Sequence, residues 1–207
     1  KNKKAGNSFF FTDEKQIKKN NLKTLELKYS KSADFSTKHE YFSNELEVRI
    51  HDEPKNNSRV SLGIDIGSTS TKLVVLDAGT RDVLIDIYGR TKGNPIDATK
   101  KLFGELKQIT GNRNIKIISV ATTGSGRKLV GKIIGADLII NEITAHFKGA
   151  SFFTPFIETI FEIGGQDSKY IRGHNGNVVD CNMNFVCAAG TGSFIEEQAQ
   201  RLGFDVR

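Results

Sequence analysis

Ten residues, Gly63-Ile64-Asp65-Ile66-Gly67-Ser68-Thr69-Ser70-Thr71-Lys72, set a carboxylate in an alternating apolar run just before a turn of glycine and hydroxyl residues. Such a turn leaves backbone N–H groups unblocked and adds hydroxyl donors, which together can wrap phosphate oxygens. Gly67, Ser68, Thr69, Ser70, Thr71 and Lys72 are therefore candidate phosphate-binding residues. Asp65 is placed to hold Mg2+ through water, because that ion keeps much of its hydration and takes one or two carboxylates. The stretch is not a P-loop, which needs Gly, four residues, then Gly-Lys-Ser/Thr between a strand and a helix. Read alone, it fits an ordinary Ser/Thr hairpin equally well. A second segment, Glu162-Ile163-Gly164-Gly165-Gln166-Asp167-Ser168-Lys169, again joins a strand-end carboxylate to glycines and then to a polar strand. Turn geometry accounts for Gly164 or Gly165, but not for Gln166 and Asp167 following in register. Two such turns facing each other would grip a polyphosphate and its metal from both sides.

Positioning these residues requires strands that end at the turns. Val60 to Ile66 and Lys72 to Asp77 alternate as a hairpin, and Asp82 to Tyr88 reads as a third strand. Asn94-Pro95-Ile96 opens a helix whose Ala98, Leu102, Leu106 and Ile109 keep helical spacing up to Gly111. Next come a strand over Ile115 to Val120, a short helix over Gly126 to Ile134, a short strand over Asp137 to Ile140, and a helix capped by Asn141. Thr159 to Ile163, Lys169 to Arg172 and Val178 to Cys181 read as a second group of strands, followed by a helix over Gly190 to Leu202. The hairpin with a glycine-rich polar turn thus occurs twice.

Residues 1–58 are rich in Lys, Asn and Ser and carry only one strand-like run, Glu47-Val48-Arg49-Ile50. They are expected to be a linker or the tail of a preceding domain, with the ordered module over residues 59–207.

Composition narrows the function classes. The 207 residues carry 30 Lys and Arg against 24 Asp and Glu, a net charge of +6, with 37% hydrophobic residues, the balance of a globular chain. No basic stripe interleaved with aromatics marks a nucleic-acid surface, and no apolar run approaches the roughly 18 residues that span a bilayer. Neither partner is expected. Two cysteines, Cys181 and Cys187, cannot build the disulfide framework of a small secreted protein, so a reducing cytoplasm is the expectation. His146, four residues after Glu142 on an expected helix, fits either a metal pair or a solvated helix face. His39, His51 and His174 form no useful spacing.

Five segments in order carry a family resemblance: Gly63 to Lys72, Thr122-Thr123-Gly124-Ser125-Gly126-Arg127, Asn141-Glu142-Ile143-Thr144-Ala145-His146, Glu162 to Lys169, and Cys187-Ala188-Ala189-Gly190-Thr191-Gly192. From about Val60 onward the chain resembles the activator ATPases of 2-hydroxyacyl-CoA dehydratases and benzoyl-CoA reductases, the BadF/BadG/BcrA/BcrD type. The resemblance implies an α/β fold of the actin, Hsp70 and sugar-kinase group (ribonuclease H-like), with ATP between two related domains. It implies that Asp65 with the Gly67 to Lys72 turn forms the first phosphate element and Glu162 with Gly164, Gly165, Gln166 and Asp167 the second. Asp65 and Glu162 are then the catalytic carboxylates. The family often has Asp where this chain has Glu162. Its activators are homodimers that share one 4Fe-4S cluster, use ATP and Mg2+, and feed a low-potential electron to a dehydratase or reductase component. Cys187 matches the first of two cluster cysteines per subunit, and the second is expected beyond residue 207. N–H groups at the glycine-rich turn and helix start after Cys187 suit a cluster thiolate. Cys181 matches no ligand position and is expected to be a free buried thiol. The stretch from Thr123 to Asp137 is most similar to activator modules repeated in tandem within long chains.

Two other functions use the same turns. A sugar-kinase-like phosphotransferase needs a general base near a sugar hydroxyl and has no use for Cys187. A nucleotide-binding remnant without turnover needs neither.

Overall fold

A computed structural model describes residues 36–111, 113–184 and 191–204. These fold around two sheets. The larger contains β1 (His39–Ser43), β2 (Leu46–Ile50), β3 (Arg59–Ile66), β4 (Ser70–Asp77), β5 (Val83–Arg90), β6 (Lys116–Thr123) and β7 (Leu138–Ile139), in the order β1-β2-β5-β4-β3-β6-β7. β1 through β5 pair antiparallel, whereas β3–β6 and β6–β7 pair parallel. Parallel neighbours need a crossover. Helices α1 (Pro95–Thr110) and α2 (Arg127–Ile134) supply it on either side of β6.

Period-two alternation builds the core. β3 turns Val60, Leu62, Ile64 and Ile66 inward, β4 turns in Leu73 and Val75, and β2 turns in Leu46, Val48 and Ile50. Against them α1 lays Ala98, Leu102 and Leu106, four residues apart on one stripe. Burying Leu102 completely stabilises the fold by about 1.5–3 kcal/mol. Asn94 caps α1 by accepting from the Asp97 N–H, and Pro95 sits in the first turn, where no helical N–H is missed.

The boundary expected near Ser58 falls inside this sheet. β2 pairs with β5 over Leu46 to Ile50, and β1 extends the sheet beyond it. Tyr41 Oη and Ser43 Oγ donate to the carboxylate of Glu105, which α1 buries. Burial and the negative charge of Glu105 push the Tyr41 hydroxyl above its ordinary value. Residues 39–50 are thus structural, not linker. Residues 1–35 lie outside the described region.

The second group has α3 (Glu142–Phe153), a three-stranded antiparallel sheet of β8 (Thr159–Ile163), β9 (Ser168–His174) and β10 (Asn177–Met183), and α4 (Gly192–Leu202). Phe147 of α3 and Ile171 of β9 are fully buried. Among the described residues no helix is long and apolar enough to cross a membrane.

Candidate functional site

Each carboxylate-bearing segment is a hairpin, and each hairpin repeats one cross-strand pair. Asp65 at the end of β3 faces Lys72 of β4, and Lys72 Nζ lies 3.1 Å from Asp65 Oδ2. Glu162 near the end of β8 faces Lys169 of β9, with Nζ 2.9 Å from Glu162 Oε2. In both, the base follows the acid by seven positions because the turn between them is tight: the Gly67 N–H donates to the Ser70 carbonyl, and the Gly164 N–H to the Asp167 carbonyl.

The two turns meet across one cleft. It is lined on one side by Asp65, Gly67, Ser68, Thr69, Ser70 and Lys72, and on the other by Glu162, Gly164, Gly165, Gln166, Asp167 and Lys169. At the meeting point a Cβ on Gly165 would stand 2.8 Å from Thr69 Oγ1, so only glycine lets the turns approach this closely. Thr71, expected among the phosphate-binding residues, does not face the cleft. Alternation along β4 turns it to the opposite side from Ser70 and Lys72, where it is fully buried and hydrogen-bonded to Thr91 Oγ1 at 2.9 Å.

Several residues that shape the site carried no role in the sequence reading. Thr91 fixes the first turn: its Oγ1 donates to the Gly67 carbonyl at 2.8 Å and its N–H to the Thr69 carbonyl at 2.9 Å. It sits in an ordinary loop, and no local pattern marks it. Gly124 and Ser125 form part of the wall. Gly124 holds φ at +85°, and a Cβ there would meet Asp65 Oδ1 and the Ile66 carbonyl at 2.5 Å, so this glycine lets the β6–α2 loop lie directly on the carboxylate. Glu142 and His146 reach the cleft from the first turns of α3. Their spacing was legible, but not the partner: Glu142 Oε1 accepts from Lys169 Nζ at 3.1 Å. At its N-terminus, α4 spends its N–H groups on the second turn, Gly192 donating to the Gly164 carbonyl and Ser193 to the Gly165 carbonyl.

The charge of the cleft limits what it can hold. Four carboxylates (Asp65, Glu142, Glu162, Asp167) face two ammonium groups (Lys72, Lys169). A bare polyphosphate would meet net repulsion, and a divalent cation bound with it would offset part of that charge. Among the described residues no group of three His, Cys, Asp or Glu side chains converges to hold a metal by itself. A cation here would keep water and phosphate oxygens as most of its ligands, which suits Mg2+ at the partly exposed Asp65 carboxylate. The glycine-floored cleft with its hydroxyl and amide donors fits a polyphosphate.

Cluster ligation is a different matter. Cys187 lies outside the described residues. Cys181, expected to be buried, is exposed on β10, an edge strand whose residues are nearly all exposed. The described residues therefore supply no donor set for an iron-sulfur cluster.

The BadF/BadG/BcrA/BcrD ATPase family matches residues 62–207. Relatives include the activator of lactoyl-CoA dehydratase from Anaerotignum propionicum, 39% identical over 145 residues, 69% of this chain and 53% of the relative. Component A of the Acidaminococcus fermentans (R)-2-hydroxyglutaryl-CoA dehydratase superposes with a TM-score of 0.61 at 33% identity, over 72% of this chain and 56% of that one. The activator of the 2-hydroxyisocaproyl-CoA dehydratase from Clostridium difficile, solved with bound ADPNP, superposes with a TM-score of 0.60 at 35% identity, over 71% and 53%. The chain spans about half the length of the curated relatives it matches. Its architecture is the α/β fold shared by actin, Hsp70 and sugar kinases.

Proposed function

The chain belongs to the BadF/BadG/BcrA/BcrD ATPase family, and from that membership we propose that it forms the phosphate-gripping part of an ATP-hydrolysing activator. The activator passes a low-potential electron through a 4Fe-4S cluster to a 2-hydroxyacyl-CoA dehydratase or a benzoyl-CoA reductase-type component. The observation that carries the reading is the close contact of Gly165 with Thr69, which brings two carboxylate-bearing turns to one cleft. Relatives named as dehydratase activators support the partner class.

In this reading Gly67 closes the turn, and the amides and hydroxyls of Ser68 and Thr69, the Ser70 hydroxyl and Lys72 bind the terminal phosphates. Asp65 holds Mg2+ through water, and the ion when bound neutralises charge that builds on the phosphate oxygens. In hydrolysis the oxygen of water bonds to the γ-phosphorus while the bond to the bridging oxygen breaks. ADP leaves, and Glu162 takes the water proton. Cys187 of each of two copies is a proposed ligand of one shared cluster in a cytoplasmic homodimer.

The full chain, purified without oxygen, is expected to hydrolyse MgATP and to contain roughly four irons per two chains. A preparation with neither hydrolysis nor iron overturns the proposal. Hydrolysis without iron keeps the ATPase and rejects the electron transfer.

A further inference from the structure

The two hairpins carry the same acid–lysine pair, but their lysines live in different surroundings. The Lys72 side chain is 50% exposed and makes one contact, to Asp65, so it is free to turn toward an anion entering the cleft. The Lys169 side chain is 5% exposed, and three carboxylates surround its ammonium: Glu162 at 2.9 Å, Glu142 at 3.1 Å and Asp167 at 3.9 Å. An ammonium has three donors and no acceptor. Two of those donors are held by the half-buried Glu162 and Glu142 and the third is turned toward Asp167, so a phosphate would have to displace partners that Lys169 already has.

Those partners leave the Glu162 carboxylate half bound. Oε2 is held by Lys169, while Oε1 lies over Gly164, 3.0 Å from the point where a Cβ would stand. The missing side chain at Gly164 is what leaves space on that oxygen at the rim of the cleft. Glu142, from the first turn of α3, holds the lysine from a second element, so its position does not depend on the hairpin alone.

We propose that Lys169 is a positioning residue: it fixes Glu162 so that Oε1 faces the attacking water, while Lys72 alone of the two lysines meets the phosphates. This rests on the ATPase reading above. Removing the Lys169 ammonium frees the Glu162 carboxylate to rotate without removing any phosphate contact, and misplacing a reacting group by about 1 Å costs on the order of 100-fold in rate.

The test uses the full chain with MgATP turnover and calorimetric binding of Mg·ADPNP as separate readouts. Lys169→Met is expected to lower kcat by about 10- to 100-fold, with KM and Mg·ADPNP affinity within about threefold of wild type. Lys169→Arg, which keeps the charge and two donors, is expected to recover most of the rate. Because Lys169→Met leaves half-buried carboxylates unpaired, Lys169→Met/Glu142→Gln serves as the variant with less uncompensated charge. It is expected to fold and to keep the low kcat. Lys72→Met is expected to weaken Mg·ADPNP binding instead. Wild-type kcat in the double variant overturns the inference, as does a loss of nucleotide affinity that tracks the loss of rate. A wild-type chain that binds Mg·ADPNP without hydrolysing ATP overturns the ATPase reading, and the inference with it.

Discussion

Lys169 shows how far a residue's neighbours decide its chemistry. Burial alone would lower the lysine pKa, but hydrogen bonds and charge from Glu162 and Glu142 outweigh it and hold the group above its ordinary 10.5. A folded value above the unfolded one means stability that is fully present below pH 10.5 and is lost as pH rises through the folded value. In urea unfolding, the stability gap between wild type and Lys169→Arg is therefore expected to stay constant from about pH 7 to 9.5, then to shift in favour of arginine, which keeps its charge. A gap that stays flat to about pH 11.5 would show that the ammonium contributes nothing to stability. Asp65 and the Gly67 to Ser70 turn were legible in the sequence because a tight turn is written within a few consecutive residues. Thr71, grouped by sequence with the candidate phosphate-binding residues, lies on the buried face of β4, since a run of hydroxyl residues looks uniform until strand alternation sorts it into two faces. The role of Lys169 was not legible, because it depends on α3 and two strands meeting at one nitrogen.

At the scale of elements, the hairpin of β1 and β2 departs most from expectation. Its loop is two residues, Asn44 and Glu45, both with positive φ (48° and 69°), joining the paired Ser43 and Leu46. The usual sequence marker of such a loop is Asn-Gly. With Glu in the second place the signal is muted, and the surrounding Lys, Asn and Ser make the segment read as linker. Lys92 holds the Glu45 carboxylate at 2.7 Å, and this exposed pair, with Lys101 nearby, draws its pKa below the ordinary carboxylate value. The three inward residues of β2 are as buried as those of the central strands. Leu46→Ala is expected to cost about 2–5 kcal/mol in urea unfolding, the range for truncating a buried leucine. A cost under about 0.5 kcal/mol, typical of surface changes, would mean that the hairpin does not belong to the folded unit. β3 to β6 and α1 were legible because their apolar spacing runs for eight residues or more.

Across the whole molecule, the cleft has a polar lining suited to phosphates and offers no apolar slot for a base. Its lining is glycine, hydroxyl, amide, imidazole, carboxylate and ammonium, with no aliphatic or aromatic carbon side chain among the described residues. The 207-residue chain is thus expected to bind MgATP and MgGTP with affinities within about threefold of each other by calorimetry, since no apolar slot distinguishes the rings. Tenfold or greater preference for ATP would locate a base site outside the described residues. The second group leaves Phe161 and Ile163 of β8 and Phe194, Ile195 and Leu202 of α4 exposed among the described residues. The amino-acid sequence by itself determined the strands from β3 onward, the helices and the two acid-tipped turns, because each follows from spacing and turn chemistry within about ten residues. Only the tertiary structure decided that Gly165 rests on Thr69, that Lys169 is shut in while Lys72 stays open, and that β2 closes on β5. Those outcomes depend on which faces meet across stretches of up to about 100 residues, and close packing, not local pattern, selects among the alternatives.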